Sequence, residues 1–191
     1  MNDSSLKKII KGCKKGDNTA RAKLYSFYKE TLYVLCLKYC TNIQEAEDNL
    51  QDAFISIFQN INRYNGKGSF EGWMKRIVIN KAIDRYKKKG LFNVVINEEL
   101  LGKPDDNSPV YIENYLLNIS LDTILRLVQE LPNRYRLVFT LYQLDGYTHQ
   151  EVAQLLDISV NTSKSNLHRA KLILKDQILQ LNNHTKRQDK K

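Results

Sequence analysis

Between Asn161 and Ala170 the chain reads Asn-Thr-Ser-Lys-Ser-Asn-Leu-His-Arg-Ala. On a helix from about Val160 to Lys175, Leu167, Ala170 and Leu174 share one face, and Thr162, Lys164, Ser165, Asn166 and Arg169 occupy the other. Hydroxyl and amide side chains of this kind read the edges of bases, while lysine and arginine hold phosphates. An ordinary solvated helix face has the same composition, so the segment in front sharpens the reading. Thr148-His149-Gln150-Glu151 has the form of a capping box, in which the Thr hydroxyl and the Glu carboxylate each satisfy a free backbone N–H. A short apolar helix follows with Val152, Ala153, Leu155 and Leu156, and Asp157 stands where a tight turn needs a left-handed residue. Ser159 can cap the next helix. Short helix, tight turn and polar-faced helix make the helix-turn-helix pattern, with the second helix in the major groove of DNA.

Two further sets of residues lie in the first half. Tyr64 and Phe70 flank a loop containing Asn65-Gly66 and Gly68, and Lys75, Arg76, Asn80 and Arg85 lie along a helix expected over about Phe70 to Lys89. Unpaired bases stack on aromatic rings or enter pockets, and a basic groove follows their backbone. A glycine-containing loop can grip a flipped base. Trp73, Ile77 and Ile83 read as core, and Asn80 either reads a base or satisfies backbone. The second set is Asp48, Gln51 and Asp52, which share the polar side of a helix whose other side carries Leu50, Ala53, Phe54 and Ile57. Carboxylates so placed suit a basic partner surface, although most such faces are merely solvated.

The remaining chemistry is sparse. Cys13, Cys36 and Cys40 are odd in number and form no disulfide framework, which fits buried thiols in a reducing compartment. Cys36 and Cys40 share a helix face, but the three histidines lie far off in sequence, so no metal and no cofactor is expected. There is no Gly-rich phosphate loop and no nucleophile elbow, so the chain does not read as an enzyme.

The elements that must position these residues are helices. Apolar residues recur at helical spacing from Ala20 to Cys40 and from Gln44 to Ile61, and Val94 to Ile96 is the one strand-like run. The fold expected is all-α, two small helical domains joined by a flexible linker. The expected boundaries are 1–92 for the first domain, 93–119 for the linker, 120–181 for the helix-turn-helix domain and 182–191 for a disordered basic tail. Gly102, Pro104 and Pro109 punctuate the linker. Net charge is +9. Residues 1–92 hold 18 Lys/Arg against 9 Asp/Glu, whereas the linker holds 1 against 5. A basic excess concentrated in one half points to a polyanion, nucleic acid before membrane. No run approaches the length of a spanning helix or a signal peptide, so a cytoplasmic protein without membrane insertion, monomeric when free, is expected.

The wording of Leu131 to Arg136, Tyr147 to Ala153 and Asn161 to Ala170 resembles the C-terminal DNA-binding domain of extracytoplasmic-function (ECF) sigma factors, of the sigma-70 family. There the last stretch usually reads Gly-Thr-Val-Lys-Ser-Arg-Leu-x-Arg-Ala. Thr162, Lys164, Ser165, Leu167, Arg169 and Ala170 keep that pattern, and Asn161, Ser163 and Asn166 depart from it, with Ser163 replacing a buried valine and Asn166 an arginine. Glu45 to Phe54 resembles the family's polymerase-binding helix, and Phe70 to Lys87 its helix that captures the melted downstream promoter element. The resemblance covers Ala20 to Lys89 and Ser120 to Leu181. It implies a sigma factor that directs core RNA polymerase to promoter DNA, reads an upstream element through Thr162, Lys164, Ser165, Asn166 and Arg169, and opens a downstream one through Tyr64, Phe70, Lys75, Arg76, Asn80 and Arg85. Asp48, Gln51 and Asp52 would face the polymerase, the linker would thread through it, and an anti-sigma factor is a possible further partner. A helix-turn-helix regulator acting alone on duplex DNA would account for the second half and not the first. A protein whose helices bind only another protein would leave the basic first half unexplained.

Overall fold

The computed structural model of the chain describes residues 3–88 and 119–188. By its contacts the chain divides into two compact units, Met1–Arg85 and Tyr86–Lys191. The described residues form helices joined by turns, with no strand among them. The strand-like run Val94 to Ile96, the linker and the helix stop at Gly90 lie outside the described residues.

The first unit opens with α1 (Asp3–Lys14), a lysine-rich helix absent from the periodicity reading, which buries Ile10 and Cys13. Gly16, at φ +81°, ends it, and the Asp17 carboxylate accepts from the Thr19 N–H to start α2 (Asn18–Tyr39). Gly12 lets α1 lie against α2, because a Cβ built there would stand 2.6 Å from the Ala20 Cβ. α3 (Ile43–Asn60) begins at Asn42, whose side chain accepts from the Glu45 N–H at 2.8 Å. The three-residue link makes α2 and α3 neighbours, and their facing sides bury Leu24, Leu32, Leu35 and Tyr39 on α2 and Ala46, Leu50, Ala53 and Ile57 on α3. A single 3₁₀ turn (Ile61–Arg63) leads to the loop before α4 (Phe70–Lys88). α4 buries Met74, Val78, Ile79, Ala82 and Ile83, and the buried Asn49 amide of α3 donates to the Val78 carbonyl at 3.3 Å.

The second unit contains α5 (Leu121–Glu130), α6 (Asn133–Phe139), a π-helical turn (Thr140–Leu144), α7 (His149–Leu156) and α8 (Val160–Gln188). Ser120 caps α5, and Pro132 separates it from α6. The free carbonyls at the end of α5 are closed by Arg136, fully buried, which donates to the Gln129 and Leu131 carbonyls, both at 3.0 Å, and to the Asn133 side chain. Gly146, at φ +75°, ends the π turn. α8 runs further than expected. Its backbone stays helical to Gln188 rather than loosening from Asn182, because no Gly or Pro follows Val160 to stop it.

Candidate nucleic-acid interface

The helix-turn-helix forms as its sequence directs. The Thr148 hydroxyl accepts from the Glu151 N–H, and the Glu151 carboxylate accepts from the Thr148 N–H at 2.8 Å, completing the capping box. Asp157 takes the left-handed conformation at φ 58° and ψ 49°, and Ser159 caps α8 by accepting from the Thr162 N–H at 2.9 Å. Val152, Leu156, Leu167, Ala170 and Leu174 are buried between the helices.

On α8, Lys164 and Ser165 are exposed, and Thr162 and Arg169 are half-buried. The Ser165 hydroxyl donates to the Thr162 carbonyl at 3.1 Å, and the Thr162 hydroxyl lies 2.8 Å from that of Ser159, so both are oriented by local bonds. Asn166 does not stand on the outward face as expected. It is only 6% exposed. Asn166 lies three positions after Ser163 and four before Ala170, and Leu167 lies four after Ser163 and three before Ala170, so the inward face is wider than its apolar members suggest. The replacement of a valine by Ser163 has its own consequence. That fully buried hydroxyl lies 2.9 Å from His149 Nδ1. The His149 ring stacks on Tyr142, with 4.1 Å between centroids and 20° between planes. Burial, helped by the nearby Lys164 ammonium, pushes the His149 pKa down.

In the first unit, α1 and the loop before α4 border an open groove of about 770 Å³. Lys7, Lys11 and Lys14 line one side, and Tyr64, Gly66, Gly68 and Phe70 the other. The loop is held by its own chemistry: the Tyr64 hydroxyl donates to the Gly68 carbonyl at 2.9 Å, and the Lys14 ammonium donates to the Tyr64 carbonyl at 2.7 Å. Gly66 and Gly68 both have positive φ, which a side chain would resist. Tyr64, Phe70 and Trp73 form one aromatic cluster with centroids 4.9 to 5.6 Å apart. Two expectations change here. Phe70 is 3% exposed, so it supports the cluster from below rather than offering a free face. Trp73, read as core, is only half-buried and stacks on Phe70 at 27°. Ile77 is likewise half-exposed, and Ile83 is buried.

The remaining basic residues differ in availability. Arg76 and Asn80 are exposed, so Asn80 does not serve the buried backbone. Lys75 pairs with Glu71 at 2.6 Å. Arg85 does not stand free: its guanidinium lies 2.8 Å from the Asp52 carboxylate and 3.5 Å from that of Asp48. Asp48, Gln51 and Asp52 are exposed on α3, so Arg85 joins the acidic face rather than the aromatic loop. Sequence spacing could not bring together residues 33 and 37 positions apart. All three cysteines are free and buried, and burial pushes the Cys36 thiol up to about 11. Among the described residues no group of His, Cys, Asp or Glu could hold a metal, and no helix is long and apolar enough to cross a membrane.

Two helical units, one built on a helix-turn-helix and one on a groove of lysines beside an aromatic loop, have the makings of a nucleic-acid-binding protein. The Sigma-70 region 2 family matches residues 24–91, and Sigma-70, region 4 matches residues 121–174. The chain is 33% identical to the ECF RNA polymerase sigma factor SigW of Bacillus subtilis over 184 residues, covering 92% of this chain and 98% of that one. It is 26% identical to the ECF RNA polymerase sigma-E factor of Escherichia coli, over 85% of this chain and 88% of that one. The fold is shared with the sigma factor RpoE of Bartonella quintana, solved with the anti-sigma factor NepR, at a TM-score of 0.52 and 16% identity over 83% of this chain and 96% of that one. The chain therefore belongs to the ECF sigma factors of the sigma-70 family. It is a promoter-directing partner of core RNA polymerase rather than a stand-alone regulator, and it is not an enzyme.

Proposed function

We propose that this sigma factor divides promoter recognition between its units. The second unit reads an upstream duplex element from the first turns of α8, with Thr162 and Ser165 toward base edges and Lys164 and Arg169 toward phosphates. Asn166 contributes by positioning, since it is buried. The first unit takes the melted downstream strand. The observation that carries this reading is the groove between α1 and the Tyr64–Phe70 loop, whose volume lies in the range of sites for small organic groups and whose walls combine lysines with aromatic rings. Tyr64 offers a ring face there, Trp73 packs against that ring on α4, and Arg76 and Asn80 are exposed further along the same helix. The acidic face of α3, with Asp48, Gln51, Asp52 and their clamp Arg85, meets core polymerase. The units act as a monomeric factor in the cytoplasm. An anti-sigma factor is the partner that kinship with the NepR-bound RpoE adds.

The test is transcription by core polymerase on a promoter library, with permanganate footprinting of unpaired thymines. Wild type is expected to support opening, and Tyr64→Ala or Lys11→Ala, both in the groove lining, to reduce it several-fold while upstream protection persists. Normal opening by both variants would remove the groove from the mechanism.

A further inference from the structure

The recognition helix carries a buried polar residue in its first turn, and buried hydroxyls need partners. Ser163 is fully buried, and its neighbours Thr162, Lys164 and Ser165 are the residues assigned to DNA. The partner is Nδ1 of His149, at 2.9 Å on the preceding helix α7. This contact joins the side chains of α7 and α8 directly. The imidazole is itself held, because its face lies on Tyr142 of the π-helical turn at 4.1 Å. Tyr142, His149 and Ser163 thus link three successive elements in one line of contacts. Apolar packing between α7 and α8 fixes their separation but tolerates sliding, whereas a hydrogen bond fixes a direction. Base readout depends on donors and acceptors placed to within a fraction of an ångström.

We propose that His149 is a positioning residue for sequence reading: through Ser163 it sets the pitch of the recognition helix, and with it which base edges Thr162 and Ser165 reach. The proposal rests on the upstream-reading role given above to α8. Nδ1 is the atom that acts, so the two amide replacements separate the mechanisms. In His149→Asn a polar atom bonded to Cγ takes the place of Nδ1. In His149→Gln the amide sits one bond further out, nearer the place of Nε2.

The experiment uses the full chain assembled with core polymerase. Upstream elements are selected from a randomised pool with wild type, His149→Ala, His149→Asn, His149→Gln, Ser163→Ala and the double alanine variant, and thermal unfolding of each chain is recorded. His149→Ala and Ser163→Ala are expected to flatten the same base preferences by roughly tenfold, the scale of one base contact. The double variant should match the singles, because both remove one link. His149→Asn should recover most of the preference and His149→Gln little. Preferences identical to wild type in His149→Ala, with only a lower unfolding temperature, would overturn the proposal. Recovery by His149→Gln and not by His149→Asn would also overturn it, by assigning the effect to Nε2 and a direct contact. Wild-type holoenzyme that selects no upstream element would instead overturn the reading of α8 itself.

Discussion

Arg85 shows how far a single side chain's role depends on what folding brings beside it. In the chain it stands among lysines and reads as a phosphate ligand, yet it lies across two carboxylates of α3. Both carboxylates are about half exposed, so the pairs contribute roughly 0–1 kcal/mol each. Reversing both charges, Asp48→Lys with Asp52→Lys, should lower affinity for core polymerase at least tenfold while costing about 1 kcal/mol or less in stability. Titration of core polymerase with labelled protein, beside a thermal melt, checks both halves of that expectation; unchanged affinity removes this face from the interface. The burial of Asn166 and the partial exposure of Trp73 share one reason. Polar means outward and aromatic means inward only on average. Asn166 follows Ser163 by three positions and precedes Ala170 by four, so helical geometry carries it inward despite its amide. Trp73 has Phe70 beneath it, and the ring that fills the core leaves the next one at the surface.

At the scale of elements, local signals were legible where one residue type has one job. The Thr148–Glu151 box, Asp157 in its turn, Ser159 at a helix start and Pro132 at a break all act within a few residues, and all occur where their spacing puts them. α1 was not legible, because its lysines outnumber the two residues it buries and the signal of its packing is a glycine. Gly12 matters through what it lacks. Its missing Cβ would meet the Ala20 Cβ at 2.6 Å, and since each Cβ is fixed to its own helix backbone, relief requires a shift of the helices. Gly12→Ala should therefore destabilise the first unit by about 1–3 kcal/mol despite its gain in helix propensity. A fall in melting temperature of roughly 4 °C or more is expected, about what 1 kcal/mol does to a domain of this size. An unchanged or higher melting temperature would mean that α1 does not rest against α2 at this point. Loss of α1 also opens one wall of the lysine-lined groove, so the same variant should open promoter DNA less well.

At the scale of the whole molecule, two separate units permit two separate failures. Lys164→Ala in the second unit should weaken every upstream element about equally and make binding less salt-sensitive, since a lost phosphate contact releases fewer counterions. Trp73→Ala in the first unit should leave that term alone and act on opening. Because the two sites belong to different units and different steps, their effects on transcription should add in free energy to within about 0.5 kcal/mol. Multiple-round transcription by the single and double variants, at two salt concentrations, measures this; strong non-additivity would mean that the units act as one.

The uninterrupted course of α8 has a mechanical meaning. Its 29 residues make a rod about 43 Å long, seated on the core by Leu167, Ala170, Leu174 and Ile178. Such a rod is braced along its first half, so whatever takes hold of its C-terminal half reaches the reading end only by shifting the helices seated against it as well.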